Sequence, residues 1–216
     1  MNTGKYKNKF RIASARLQNW NYGWNAAYFV TICTKNKFFY FGNIVDGIQN
    51  AVETQNIVET QNIASLRGRA EMQLSEIGRV AYDCWLQIPE HFPFVKLGGF
   101  IIMPNHVHGI VIIDKVDDGR GYDDSIVETQ NIASLRRRGR KPVNRFGPQS
   151  QNLASIIRGF KTGVTKNARQ IKSDFAWQPR FHDHIIRNDA SFKQILNYME
   201  NNVILWKKDK FYMENQ

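Results

Sequence analysis

Runs of apolar residues along the chain predict several strands. Residues 27–34 and 38–41 are rich in β-branched and aromatic side chains, which favours a strand and a short continuation of it. Residues 95–103 and 107–113 are two further apolar runs on either side of a Pro-Asn turn, so they predict a hairpin. Residues 181–186 carry a shorter run of the same kind and predict one more strand.

Apolar positions with helical spacing predict three helices. The first begins at Ser75, which can cap it, and keeps its apolar pattern up to Ile88, where Pro89 ends it. The second covers residues 155–171 and has basic side chains on its polar faces. The third begins at residue 191 and continues to about residue 206.

The order strand, helix, hairpin, helix, strand, helix predicts the fold class. It is typical of an α+β domain in which helices cover one face of an antiparallel sheet. We therefore expect a ferredoxin-like/RRM-like antiparallel sheet with helices on one face, plus a C-terminal helix carrying Tyr198. A chain of 216 residues is long enough for one well-buried core, so we expect a single domain over residues 1–216.

A short repeat interrupts this pattern at two places. The hexamer Val-Glu-Thr-Gln-Asn-Ile occupies residues 52–57, follows again at 58–63 and returns at 127–132. Units of this length at two separate points do not build a solenoid, whose repeats are longer and stacked. We interpret them as loop insertions at about residues 44–72 and 115–149, where a surface loop tolerates extra length.

Basic residues outnumber acidic ones by 30 to 19, and the excess is clustered. Such clusters are typical of proteins that bind the phosphate backbone of nucleic acids. A solvated basic surface would give the same composition, so charge alone leaves both interpretations open. The clusters comprise Lys5, Lys7, Lys9, Arg11 and Arg16; Arg136, Arg137, Arg138, Arg140, Lys141 and Arg145; and Arg158, Lys161, Lys166, Arg169 and Lys172.

Cysteine usage and hydropathy predict a cytoplasmic protein without a membrane partner. Cys33 and Cys84 lie in apolar runs and form no CxxC pair, as expected for core thiols in a reducing compartment. The N-terminus has no apolar stretch of the length of a signal peptide. The most apolar run, residues 98–113, is interrupted by polar residues and is too short to span a bilayer.

His106 and His108 are candidate metal ligands. Side chains alternate along a strand, so both imidazoles project from one face of the predicted hairpin while Val107 projects from the other. Two adjacent imidazoles can hold a metal ion if a third ligand is present. A hydrogen-bonded pair of strand histidines without a metal is the structural alternative.

Tyr198 and Asn202 share one flank of the last predicted helix. At about 100° per residue, Tyr198 lies about 110° and Asn202 about 70° from the centre of the apolar stripe, on the same side. Side chains four residues apart are stacked one helical turn from each other. Both can therefore reach the sheet face that carries the histidines, although either alone is also explained as an ordinary surface residue.

Four motifs stand out along the chain: Met103-Pro-Asn-His-Val-His-Gly109, Trp177-Gln-Pro-Arg-Phe181, His184-Ile-Ile-Arg-Asn188 and Asn197-Tyr-Met-Glu-Asn-Asn202. Together they resemble the signature set of the single-tyrosine HUH transposases, most closely the REP-associated tyrosine transposases. This resemblance implies that His106 and His108 bind the metal, that Asn202 completes its binding, and that Tyr198 is the nucleophile. It implies Mg²⁺ or Mn²⁺ as the cofactor.

The resemblance implies an enzyme that nicks and rejoins single-stranded DNA, next to a hairpin, through a 5′-phosphotyrosine intermediate. Related transposases occur as homodimers and as monomers, so a homodimer is one expected partner arrangement. The family usually has Asn-Pro after the tyrosine motif, whereas Val203 follows Asn202 here, and valine can continue a helix. The candidate DNA-binding residues are Arg158, Lys161, Arg180, Arg187 and Trp177.

Two other functions remain open on sequence grounds. The chain could be a non-catalytic module that binds single-stranded nucleic acid on the same fold. The histidine pair could instead belong to a zinc hydrolase, which would use bound water and form no link between protein and DNA. A covalent adduct that depends on Tyr198 distinguishes the transposase from both.

Overall fold

The computed structural model describes residues 5–6, 9–10, 17, 20–45, 70–116 and 150–212. Its strands are β1 (Lys5–Tyr6), β2 (Lys9–Phe10), β3 (Ala26–Cys33), β4 (Gly42–Val45), β5 (Glu71–Leu74), β6 (Val95–Met103), β7 (His106–Ile113) and β8 (His182–Ile186). Its α-helices are α1 (Glu76–Leu86), α2 (Ile88–His91), α3 (Leu153–Ile171) and α4 (Asp189–Asn202). Short 3-10 turns cover Lys35–Lys37 and Trp206–Lys208.

A four-stranded antiparallel sheet with the order β6-β7-β3-β8 organises the domain. Strands β6 and β7 form the expected hairpin, and helices α1 and α3 follow β3 and β7 in the chain. This arrangement of strand, helix, hairpin, helix and strand is the ferredoxin-like topology, so the predicted α+β fold is confirmed. The position of β7 and β3 in the middle of the sheet places the histidine pair on a central strand, at the end where that strand begins.

The two faces of the sheet are covered by different helices. One face of β3, with Tyr28, Val30 and Ile32, packs into the main core together with α1 and α3. The opposite face carries a smaller cluster in which Ile110 packs with Met199 of α4. Because side chains alternate along β7, the histidines share the α4 face with Ile110. The C-terminal helix therefore covers the side of the sheet that presents the imidazoles.

A glycine directly after the histidine pair lets helix α1 approach the sheet. The ring of Trp85 lies over Gly109, and a Cβ added there would lie 2.2 Å from the Trp85 ring atom Cζ2. Any larger residue would have to displace a fully buried indole. Gly109 thus sets the spacing between α1 and the strand that carries His106 and His108.

Caps fix where the predicted helices begin. The Ser75 hydroxyl accepts a hydrogen bond from Gly78 N at 3.0 Å, as expected from the sequence. The side chains of Asn152 and Asn188 cap α3 and α4 in the same way. Each such cap contributes about 1 kcal/mol to the stability of its helix.

Three predicted boundaries were wrong. Residues 38–41 form no strand; Tyr40 and Phe41 are buried against aromatic side chains instead, and the strand β4 begins only at Gly42. Helix α1 ends at Leu86, and Pro89 lies near the start of the short helix α2, where its missing N–H is tolerated. Helix α4 ends at Asn202, earlier than expected, because a turn follows it.

Several sequence predictions fall on residues outside the described ranges. Residues 46–69 and 117–149, which hold most of the two predicted insertions and the basic cluster at 136–145, are among them. In the first basic cluster, the backbone is described at Lys5 and Lys9, whereas Lys7, Arg11 and Arg16 lie outside the described residues. Within the described part of the chain, no helix is both long and apolar enough to cross a bilayer.

Candidate active site

The histidine pair lies on the central strand β7, fully enclosed by protein. In the ladder with β3, His106 is opposite Cys33 and His108 is opposite Thr31. The centroids of the two imidazole rings are 4.4 Å apart, and the residues are 0% and 1% exposed. The predicted projection of both rings from one face is confirmed.

Hydrogen bonds hold one nitrogen of each ring. Nδ1 of His106 lies 2.8 Å from Oδ1 of Asn105, and Nδ1 of His108 lies 2.9 Å from the Thr31 hydroxyl. Nε2 of His106 is buried without a partner. A buried polar atom left unpaired costs about 1–3 kcal/mol, which is a reason to look for a ligand that is bound there.

Tyr198 reaches the histidine pair from helix α4. Its hydroxyl lies 3.3 Å from Nε2 of His108 and 3.5 Å from a carboxylate oxygen of Asp209. Its ring contacts Phe29 edge-on, and the residue remains 41% exposed. The hydroxyl is thus positioned by the sheet on one side and accessible from solvent on the other.

Burial controls the protonation of these groups. Burial lowers the pKa of His106 well below its usual value, and the charges of His108, Lys210 and Lys37 lower it further. Burial and the charge of Lys210 lower the pKa of His108 to about 3, against a hydrogen bond with the Val30 carbonyl. Both imidazoles are therefore neutral near pH 7, the state in which a ring nitrogen can bind a metal.

The Tyr198 hydroxyl is protonated near neutral pH. Burial and the negative charge of Asp209 raise the pKa of Tyr198 to about 12. A phenol in this state is a weak nucleophile. Activation therefore requires a group that takes its proton or stabilises its negative charge.

Asn202 is buried at the end of α4, the helix that covers the sheet face carrying the histidines. It is 3% exposed, and neither its amide oxygen nor its amide nitrogen has a hydrogen-bond partner. Val203 keeps helical backbone angles although the helix ends at Asn202. The amide oxygen has no competing hydrogen bond, and the role of Asn202 as a metal ligand stays a prediction.

A carboxylate that sequence analysis missed completes a possible ligand set. Ligand atoms of His106, His108 and Asp209 all lie within 4.8 Å of one another. The donor chemistry fits a divalent cation, since two neutral imidazoles and a carboxylate suit Mn²⁺ well and Mg²⁺ less strongly. Asp209 lies in a lysine-rich segment after the last helix, and no motif or periodicity singles it out.

The segment after α4 folds back over the histidines. The Phe211 ring centroid lies 4.6 Å from that of His106, and the Phe211 carbonyl accepts a hydrogen bond from the Asn105 amide at 2.8 Å. Nζ of Lys37 donates to the Lys210 carbonyl at 3.1 Å. These contacts bring Asp209 to the site.

The candidate DNA-binding residues are only partly brought together. Arg158, Lys161 and Arg180 line one groove of about 620 Å³ between α3 and the segment before β8. Arg187 is exposed elsewhere, after β8. Trp177 is half-buried and packs on Phe41 and Phe160, below the Lys161 side chain. The groove is also lined by Lys166, Arg169, Thr162, Thr165, Phe181, Ala154 and Ile157.

Within the groove the cations differ in how they are held. The Lys161 ammonium donates to the carbonyl oxygens of Gln178 and Arg180 at 2.7 and 3.0 Å, so it supports the wall of the groove. Arg158 and Arg180 are exposed. Arg180 has a φ of 68°, a left-handed conformation that is unfavourable for a residue other than glycine.

The fold and the site together define a class: a ferredoxin-like domain whose central strand presents two imidazoles to a tyrosine on its last helix. A Haemophilus influenzae protein described as uncharacterized is 36% identical over 203 residues, which is 93% of each chain. A second protein of that organism, named "Putative REP-associated tyrosine transposase", is 22% identical over 139 residues, covering 64% of this chain and 66% of that one. No family model matches the chain.

A solved REP-associated tyrosine transposase bound to a REP hairpin shares 15% identity with a TM-score of 0.45, over 91% of this chain and 74% of that chain. The chain belongs to one family with the first Haemophilus protein, and its resemblance to the REP-associated tyrosine transposases, indicated by its motifs, is confirmed.

Proposed function

We propose that the chain is a transposase that nicks and rejoins single-stranded DNA through a 5′-phosphotyrosine link on Tyr198. The observation that carries this proposal is the position of the Tyr198 hydroxyl, 3.3 Å from Nε2 of His108. A candidate nucleophile and a candidate metal ligand thus meet at a point open to solvent on one side. Neither of the other functions considered above requires this contact.

Mg²⁺ or Mn²⁺ is the proposed cofactor, held by His106, His108 and the amide oxygen of Asn202, which leaves the Asp209 carboxylate free to accept a proton. The unpaired Nε2 of His106 and the unpaired amide of Asn202 support this ligand set. Bound there, a divalent cation would offset negative charge on the scissile phosphate. The buried imidazoles are neutral near pH 7 and so can bind it without first losing a proton.

The proposed step exchanges one phosphorus–oxygen bond for another. The Tyr198 oxygen bonds to phosphorus, and its proton passes to Asp209, the carboxylate 3.5 Å away. The bond from phosphorus to the 3′ oxygen breaks, and that oxygen takes up a proton and leaves as a 3′-hydroxyl. A second 3′-hydroxyl can reverse the step and rejoin the strand without ATP, because the phosphodiester energy is retained.

A basic groove supports binding of a DNA hairpin beside this site. The groove that contains Arg158 and Arg180 opens next to β8, whose first residue His182 pairs with Thr31 across the sheet. Thr31 in turn bonds to His108. Phosphates held in the groove would place a neighbouring single strand at the β8 edge of the sheet.

One chain supplies both parts of the proposed site. Tyr198 contacts the His108 of its own chain, so a second copy is not needed to bring nucleophile and ligand together. We therefore propose that the tyrosine acts in cis, whether or not two copies associate on DNA. The expected setting is the cytoplasm, where the DNA substrate and Mg²⁺ are both present.

A covalent trapping experiment tests the proposal. The protein is mixed with Mn²⁺ and a labelled hairpin oligonucleotide that has single-stranded flanks, and the products are separated on a denaturing gel. We expect an adduct that disappears in Tyr198→Phe and forms more slowly in Asp209→Asn. Tyr82→Phe is the matched control, since Tyr82 is equally exposed at 41% but lies on α1.

The three functions give different results in this experiment. Binding without any adduct or cleavage would indicate a nucleic-acid-binding module. Cleavage without an adduct would indicate a hydrolase that uses water. An adduct that persists in Tyr198→Phe would assign the nucleophile to another residue.

A further inference from the structure

Asn105 lies at the turn between β6 and β7, directly before the first histidine. It is completely buried, and its backbone carbonyl accepts hydrogen bonds from the Thr34 N–H and hydroxyl at 2.9 and 3.0 Å. The turn is therefore held firmly in place. Nothing in the proposed reaction uses the Asn105 side chain directly.

The orientation of the Asn105 amide is fixed by two carbonyl groups. Its nitrogen donates to the Lys37 carbonyl at 3.1 Å and to the Phe211 carbonyl at 2.8 Å. Carbonyl oxygens only accept hydrogen bonds, so the NH₂ group must face them. The amide oxygen must then face His106, whose Nδ1 lies 2.8 Å away.

This orientation decides which nitrogen of His106 carries the proton. The Asn105 oxygen can only accept, so Nδ1 of a neutral His106 must donate. A neutral imidazole has one N–H, and Nε2 is then left with a free lone pair. Nε2 is the buried atom without a partner, and His106 belongs to the cluster that includes His108 and Asp209.

We infer that Asn105 is a positioning residue that holds His106 in the Nδ1–H tautomer and so presents Nε2 to a divalent cation. The role of Asn105 in metal binding rests on the proposed metal-dependent function, but the assignment of the His106 tautomer does not. At His108, the Thr31 hydroxyl beside Nδ1 can donate or accept, and so this contact by itself does not decide which nitrogen carries the proton. Asn105 therefore acts on one ligand of the pair.

Three variants separate this role from a purely structural one. Asn105→Ala removes both the acceptor and the donors, whereas Asn105→Asp keeps the acceptor and loses the donors. Thr34→Val is the matched control, because it removes the hydroxyl's hydrogen bond to the same turn, together with one to the Phe38 carbonyl, and leaves the imidazole untouched. The readouts are long-range ¹H–¹⁵N NMR spectra of the histidine rings without metal, and Mn²⁺ affinity by calorimetry, both at about pH 8.

In the wild-type protein and in Thr34→Val, we expect His106 to be in the Nδ1–H form and Mn²⁺ affinity to be equal. Asn105→Ala should give a mixture of tautomers and bind Mn²⁺ roughly 10- to 100-fold more weakly, the usual effect of losing a partner that orients a ligand. Asn105→Asp should keep the tautomer and bind Mn²⁺ at least as tightly as the wild type.

Two results would overturn the inference. One is the finding that His106 of the wild-type protein carries its proton on Nε2. This result comes from the wild-type spectrum and does not depend on whether any variant folds. The other is equal weakening of Mn²⁺ binding in Asn105→Ala, Asn105→Asp and Thr34→Val, which would assign Asn105 to the turn alone. Because these readouts use neither DNA nor the adduct, they can fail or succeed independently of the proposed nicking activity.

Discussion

The hydroxyl of Tyr198 lies 3.3 Å from Nε2 of His108, so the candidate nucleophile contacts the nitrogen that would bind a metal ion. Nδ1 of the same ring is occupied by the Thr31 hydroxyl, so Nε2 is the nitrogen left for a cation. Hydroxyl and cation therefore compete for the same ring nitrogen. Binding of the cation would release the hydroxyl toward the substrate.

Removal of the hydroxyl should strengthen metal binding. Without the competing hydrogen bond, which contributes about 0.5–1.5 kcal/mol, Tyr198→Phe should bind Mn²⁺ roughly 2- to 10-fold more tightly than the wild type. Calorimetric titration measures the change, and Tyr82→Phe should show none. Weaker Mn²⁺ binding in Tyr198→Phe would instead make the hydroxyl a ligand.

The buried amide of Asn202 should reduce stability in the absence of metal. Its oxygen and nitrogen both lack partners, and each such group costs about 1–3 kcal/mol. Asn202→Leu, of similar volume, should therefore raise the free energy of unfolding in EDTA and weaken Mn²⁺ binding. Urea unfolding and calorimetry measure the two effects.

Asn201→Leu is the neighbouring control for Asn202→Leu. Its amide is already bonded to Asn197, so this substitution should not increase stability and should leave Mn²⁺ affinity unchanged. If Asn202→Leu lowered stability in EDTA, the amide would have a role in the fold that its unpaired atoms do not show.

The sequence predicted those parts of the structure that have a periodic pattern. The hairpin, the sheet and the helices follow from apolar spacing, and the flank shared by Tyr198 and Asn202 follows from helical geometry. Asp209 could not be predicted, because its place depends on the turn after α4 and no pattern continues beyond that point. The aromatic run at residues 38–41 misled for a related reason: its last two side chains, Tyr40 and Phe41, fill the core from a loop.

The ladder of β4 and β5 was also missed. Its strands have four residues each and are separated along the chain by residues outside the described ranges. Such short strands carry too little alternation to be recognised. Pairing across a long separation is decided by packing, which a local pattern does not contain.

Replacing Arg180 with glycine should preserve or raise the stability of the protein while weakening its binding to DNA. Arg180 has a φ of 68°, which is unfavourable for any residue with a Cβ. Arg180→Gly removes this strain, so the free energy of unfolding should stay equal or rise by up to about 1 kcal/mol. Loss of the charge should weaken hairpin binding and reduce its dependence on salt by about one phosphate contact.

Arg180→Ala separates these two effects. It removes the same charge but keeps the strained backbone, so it should weaken DNA binding without any gain in stability. Fluorescence anisotropy at several salt concentrations gives the affinities, and urea unfolding gives the stabilities. Unchanged hairpin affinity in both variants would exclude Arg180 from the DNA-binding groove.

Acid should destabilise the protein through its histidine pair. Above about pH 6.5 the pair is neutral in both the folded and the unfolded chain and contributes no pH dependence. Below that value the unfolded chain takes up protons, while the pKa of His106 is held well below its usual value and that of His108 is lowered to about 3. The free energy of unfolding should fall by about 1.4 kcal/mol per pH unit for each histidine.

Urea unfolding between about pH 7.5 and 5.5 tests this expectation. The double variant His106→Asn/His108→Asn should lose most of the slope below about pH 6.5, whereas His91→Gln, at an exposed position, should keep it. An equal slope in the wild type and the double variant would show that other groups cause the acid sensitivity.

The pairing of Val45 with Glu71 at the end of the β4 and β5 ladder has an evolutionary consequence. The two ends of the intervening segment are therefore adjacent, and the entropy of closing a chain segment grows only with the logarithm of its length, about 0.6 kcal/mol per doubling. Copies of the hexamer between these two residues can therefore multiply or be lost at little cost to folding. Selection on the fold would tolerate such changes, and this position in the gene can accumulate tandem duplications while the active site stays intact.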